Sequence, residues 1–91
     1  MGNIYFIRSN DRIKIGYSDN IVQRKVSLQT GNANRLVIEY VIKDASMIFE
    51  KHIHSVCKQF LILNEWFEEG VLDHLLKQPW YKENMISDFT E

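Results

Sequence analysis

Four polar side chains in this sequence have types and spacings that could do chemistry. Tyr5 and Lys14 lie in two segments of alternating apolar character, Ile4–Arg8 and Arg12–Tyr17, which read as antiparallel strands. A two-residue turn at Ser9-Asn10 would pair Arg8 with Asp11, Phe6 with Ile13, Tyr5 with Lys14 and Ile4 with Ile15. A cation beside a phenol favours the phenolate and lowers a pKa that is normally about 10. That would suit a general base; a tyrosine packed on a lysine stem is the plainer reading. Arg24 falls at the flank of a helical stripe formed by Ile21, Val22 and Val26, where a guanidinium could grip a phosphate through two parallel hydrogen bonds. The plainer reading there is a solvated arginine. Glu50 and His54 are four apart and share one helix flank. A carboxylate in that place could hold magnesium, which takes oxygen ligands and keeps several waters; an exposed helix pair is the alternative.

Other constellations find no support in the sequence. His52 and His54 point to different sides of a helix, and Cys57 supplies only one thiol, so no zinc spacing exists. No glycine-rich phosphate loop is present, and no Ser/His/Asp triad can be assigned.

The elements that must position these residues follow from pattern. One strand face collects Ile4, Phe6, Ile13 and Ile15; the other collects Tyr5, Ile7, Arg12 and Lys14. Ser18 or Asp19 can cap a helix running to about Gln29, with Gly31 suited to a left-handed end. Leu36–Ile42 is rich in branched residues and predicts a third strand. Asp44 can cap a second helix, in which Ala45, Ile48, Phe49, Ile53, Val56, Cys57 and Phe60 recur at helical spacing. Asn64-Glu65-Trp66-Phe67 breaks that period. A short helix, Val71–Lys77, ends before Pro79, and a tail begins at Trp80-Tyr81. The order predicts an α+β layer fold with helices on a small antiparallel sheet.

Composition sets the frame. The 91 residues are 45% hydrophobic and 25% charged, which makes one globular domain and excludes disorder. No uncharged apolar run exceeds the four residues of Phe60–Leu63, far short of the ~20 residues of a membrane helix. No secretion leader is read in the opening residues, and the single Cys57 suits a reducing compartment. The expectation is a cytoplasmic or host-cell interior protein, not a secreted one. Charge divides unevenly: residues 1–43 carry seven bases against three acids, and residues 44–91 carry four lysines against nine acids. The basic half admits a nucleic-acid partner, with Arg12, Lys14, Arg24, Lys25 and Arg35 as candidate contacts.

Taken in order, Asn3-Ile4-Tyr5, Lys14-Ile15-Gly16, Arg24, Leu28-Gln29-Thr30-Gly31-Asn32, Glu50 with His54, and Glu65-Trp66-Phe67 resemble the motifs of the GIY-YIG endonuclease superfamily. They are most similar to a small phage, viral and bacterial branch with K-I-G, L-x-T-G-N and E-W-F. The resemblance spans residues 2–67 as a catalytic core, leaving 68–91 as a short helical extension. It implies a three-stranded antiparallel sheet flanked by helices, and hydrolysis of DNA phosphodiesters with one Mg2+ or Mn2+. In that reading Tyr5 is the base or its relay, Lys14 assists it or contacts the scissile phosphate, and Arg24 stabilises phosphate charge. Glu50 holds the metal. Tyr17, His54, Asn64 and Glu65 are candidate helpers. The implied partner is double-stranded or branched DNA, bound by a monomer or a homodimer. The competing expectation is a DNA-binding or protein-interaction module that kept the fold without cleavage.

Overall fold

The computed structural model describes residues 2–87 of the chain. Its elements are β1 (Gly2–Ser9), β2 (Arg12–Ser18), α1 (Ile21–Thr30), β3 (Leu36–Ala45), α2 (Met47–Val56), β4 (Leu61–Leu63), β5 (Trp66–Glu68), α3 (Gly70–Leu76) and α4 (Pro79–Asn84). The strands form one antiparallel sheet in the order β3-β1-β2-β5-β4. The α+β class holds. The sheet has five strands, however, and not the three expected.

The two extra strands come from Leu61–Leu63 and Trp66–Glu68, a hairpin of three-residue strands turned by Asn64 at φ 55°. Asparagine tolerates that left-handed backbone. Runs this short carry too little alternation to register as strands, so the stretch that interrupts the helical pattern is a turn.

Tyr5 pairs with Gly16, Phe6 with Ile15 and Ile7 with Lys14. The turn is therefore Asn10-Asp11, with Asn10 at φ 59°, and the expected register is displaced by two residues. A shift of two leaves every side chain on its predicted face, because the strand period is two. Tyr5 and Lys14 share a face but are diagonal neighbours, not opposite ones.

Each face has its own core. Ile4, Phe6, Ile13 and Ile15 pack with Ile53, Cys57, Phe67, Val71, Leu75, Tyr81 and Met85, so α2, α3 and α4 cover that side. Tyr5, Ile7, Leu36, Ile38 and Val41 pack with Ile21 and Leu28, so α1 covers the other. The expected stripe on α1 is corrected: Val22 and Val26 are exposed, and Ile21 with Leu28 face the sheet. Arg24, three residues from one and four from the other, rides the edge of that buried stripe.

The second helix is also turned relative to expectation. Its cap is Ser46, whose side chain accepts from Phe49 N at 3.1 Å, because β3 runs on to Ala45. Ile48 is 81% exposed, while Glu50 and Ile53 are buried. The expected left-handed end at Gly31 is absent; its φ is −98°. The tail beginning at Trp80 is α4, held to α2 by aromatic contacts of Phe49 with Trp80 and Tyr81.

Candidate functional site

The site lies where the sheet loses a strand. β5 pairs with β2 only over Arg12–Lys14, yet β2 continues to Ser18. The first free backbone positions on that edge are taken by other elements. Ile15 N donates to Glu65 O at 3.0 Å, and His54 Nε2 donates to Ile15 O at 2.8 Å. Residues from both faces of the sheet can therefore meet around this open edge.

Gly16, itself buried, makes room for the Tyr5 ring. A Cβ there would collide with the Tyr5 hydroxyl and Cζ, so the Tyr5 ring lies across the space a side chain would fill. Tyr5 is 0% exposed, and its hydroxyl has no hydrogen-bond partner among the described residues. Leaving such a group unsatisfied costs about 1–3 kcal/mol. Burial pushes the Tyr5 phenol above its ordinary value of 10.0, the Arg24 guanidinium pulls it back, and Glu65 and Glu50 push it up again. The expectation that Lys14 would lower this pKa is corrected: the register places Lys14 opposite Ile7, and the net shift is upward.

Glu50 reaches the same region from α2. Burial raises its carboxyl above 4.5, Glu65 raises it further, and His54, Lys51 and Lys14 oppose the shift. Its carboxylate lies 3.8 Å from His54 Nε2. The expected exposed helix pair is thus a nearly buried one. Lys14 Nζ sits 3.3 Å from Glu65 Oε1 and 5.4 Å from the centroid of the Trp66 ring. The fields of Tyr5, Arg24, Lys14, Glu50 and Glu65 therefore overlap, although the residues come from β1, α1, β2, α2 and the β4–β5 turn.

The remaining expected residues divide. His54 is committed to the Ile15 carbonyl and orients α2 against β2. The Tyr17 hydroxyl accepts from Gly2 N at 2.8 Å, which ties down the start of β1. Asn64 is exposed and forms the hairpin turn. Arg12 lines a cleft beside Trp66, whereas Lys25 and Arg35 line the outer groove of α1. Gly16 and Trp66 adjoin the candidate residues, Gly16 under the Tyr5 ring and Trp66 opposite Lys14. The signal for Trp66 was available only with the pairing of β2 and β5, which sets it opposite Lys14.

Glu50 offers a nearly buried carboxylate of the hard oxygen type that a divalent cation takes, with the His54 ring 3.8 Å away. Among the described residues no three His, Cys, Asp or Glu side chains gather as a ligand set. A cation there would keep most of its ligands as water, as magnesium does.

With this geometry in hand, the comparison with known families is decisive for family alone. The chain belongs to the T5orf172 domain family. The family model matches residues 2–81, which takes in every element through α3 and the first half of α4. This corrects the resemblance to the GIY-YIG endonuclease superfamily, for which no family model matches. The shared triplets are weak discriminators for a physical reason. Apolar alternation with a glycine beneath a tyrosine ring is what packing at Tyr5 and Gly16 requires in any case. No curated protein and no solved structure matches the chain. Among the described residues no helix is long and apolar enough to cross a membrane.

Proposed function

We propose that this member of the T5orf172 domain family is a metal-dependent DNA endonuclease that hydrolyses phosphodiester bonds. The observation that carries the reading is the fully buried Tyr5 hydroxyl over Gly16, on which Arg24, Glu65 and the nearly buried Glu50 bear, with Lys14 bearing on Glu50 in turn. Phosphoryl transfer needs positioning and neutralisation of developing negative charge more than covalent chemistry from the protein. Arg24 and Lys14 would receive the phosphate oxygens. Tyr5, neutral at rest because burial raises its pKa, would orient the attacking water through its hydroxyl and relay the proton. Glu50 would hold Mg2+ or Mn2+, which supplies charge neutralisation at the phosphate when bound. Glu65 would hold the Lys14 ammonium in place until phosphate takes over that contact. Such a protein works inside a compartment that holds DNA.

A DNA-binding module without cleavage is the second reading, favoured by the complete enclosure of the Tyr5 hydroxyl. Supercoiled plasmid and branched DNA incubated with Mg2+ or Mn2+ separate the two. Nicking by the parent, lost in Glu50→Ala with DNA binding retained, is expected. All substrates intact at high protein excess, with salt-sensitive binding, would leave the binding module.

A further inference from the structure

Beside Lys14, on the α1 side of the sheet, lies an open cleft of about 430 Å³ between the β1–β2 turn, Arg12, Asn32, Asn34 and Trp66. Its lining is polar apart from the indole. The side-chain amide nitrogens of Asn10, Asn32 and Asn34 have no partner among the described residues; only the Asn32 Oδ1 is engaged, accepting from Asn34 N at 2.9 Å. The loop that carries them is fixed all the same. Gln29 Nε2 donates to Asn32 O and Asn34 O, at 3.3 and 2.8 Å, and Gln29 Oε1 accepts from Leu36 N at 2.9 Å. One glutamine thus staples an irregular loop in place, so its free amides face the cleft with little ordering left to do.

We infer that this cleft takes an unpaired base of the DNA, stacked on Trp66 and read along its edge by the Asn32 and Asn34 amides. An indole offers a flat face that any base can stack on, and amides offer both donor and acceptor to a base edge. In an intact duplex the faces of a base are stacked and its Watson–Crick edge is paired, so only an unstacked or single-stranded base can enter to stack on the indole. Trp66 lies directly opposite Lys14 across β2 and β5, so a base in the cleft would lie next to a phosphate held by Lys14. The inference rests on the proposal that the site handles DNA phosphates, and it selects branched or single-stranded DNA over plain duplex.

The test is binding without divalent metal, so that cleavage plays no part. Labelled single strand, the same strand made abasic throughout, and duplex are titrated by fluorescence anisotropy. A Trp80→Phe background leaves Trp66 as the reporter. Intact single strand should bind about tenfold tighter than abasic strand and quench Trp66, since stacking one base is worth about that factor. Trp66→Ala and Asn34→Ala should erode this preference, and Trp66→Phe should restore most of it. The Asn34 side chain holds nothing in the fold, which keeps that variant informative if Trp66→Ala unfolds. Equal affinity for intact and abasic strands, or an unchanged Trp66 signal on binding, overturns the inference while leaving the phosphate site standing. No binding to any DNA at low salt overturns both.

Discussion

Tyr5→Phe should make the protein more stable and less active in one step. The ring is 0% exposed and lies across Gly16, so phenylalanine keeps every packing contact. Only the hydroxyl is lost; no hydrogen bond of ordinary geometry reaches it among the described residues, and the Arg24 guanidinium bears on it only from nearby. The penalty for an unsatisfied buried donor is about 1–3 kcal/mol. The nearby Arg24 guanidinium recovers part of it. A net gain of about 1 kcal/mol is therefore expected, read as a rise in Tm of about 4–8 °C for a domain of this size. Cleavage should fall about a hundredfold, the usual scale for loss of a proton-transfer group. Urea and thermal unfolding by circular dichroism, beside a plasmid-nicking time course, measure both. A lower Tm than the parent would refute the reasoning about the hydroxyl, since it would mean a lost partner. Parental cleavage by the folded variant would remove Tyr5 from the chemistry.

Gly16→Ala should destabilise by about 1–3 kcal/mol through overpacking against the Tyr5 ring. The double variant Gly16→Ala, Tyr5→Leu should lose less than the two single losses added, in a denaturation cycle. Glu50→Gln should match the parent at low pH and exceed it in stability as pH rises. Burial and Glu65 raise the folded carboxyl above 4.5, so the stability this group contributes is complete below that pH and is lost as pH climbs through the folded value. A gain that does not vary with pH in urea unfolding counts against this. Cys57 is buried with its thiol pushed up to about 11. It should resist a disulfide reagent at pH 8 and react only as fast as the chain unfolds.

Much of the scaffold was legible because it follows from period. The two faces of β1 and β2 were assigned correctly, since Ile4, Phe6, Ile13 and Ile15 alternate with Tyr5, Ile7 and Lys14. Period alone cannot tell a register from one displaced by two, and so Tyr5 was set against Lys14 when Gly16 lies opposite. On α2 the apolar pattern was too generous: Ile48 looked like core and is outside, whereas charged Glu50 is inside. Nothing local in the sequence marks a carboxylate for burial. Tyr5, Lys14, Arg24 and Glu50 could be singled out by type and spacing, and the structure brings them into one neighbourhood, Arg24 and Glu50 bearing on Tyr5 and Lys14 on Glu50. The cleft was not readable at all, because Asn32, Asn34 and Trp66 meet only once β5 has joined β2 and Gln29 has fixed its loop.

Val41 and Ile86 exchange both backbone hydrogen bonds, Val41 N to Ile86 O at 2.9 Å and Ile86 N to Val41 O at 2.8 Å. Beside this clasp, Tyr81 and Met85 are buried in the core that the sheet shares with α2. During synthesis the outer edge of β3 stays bare, and the sockets for those two side chains stay empty, until Ile86 has cleared the ribosome. A protease nick or fusion joint within residues 79–86 would reopen both, whereas one after Ser87 would spare them.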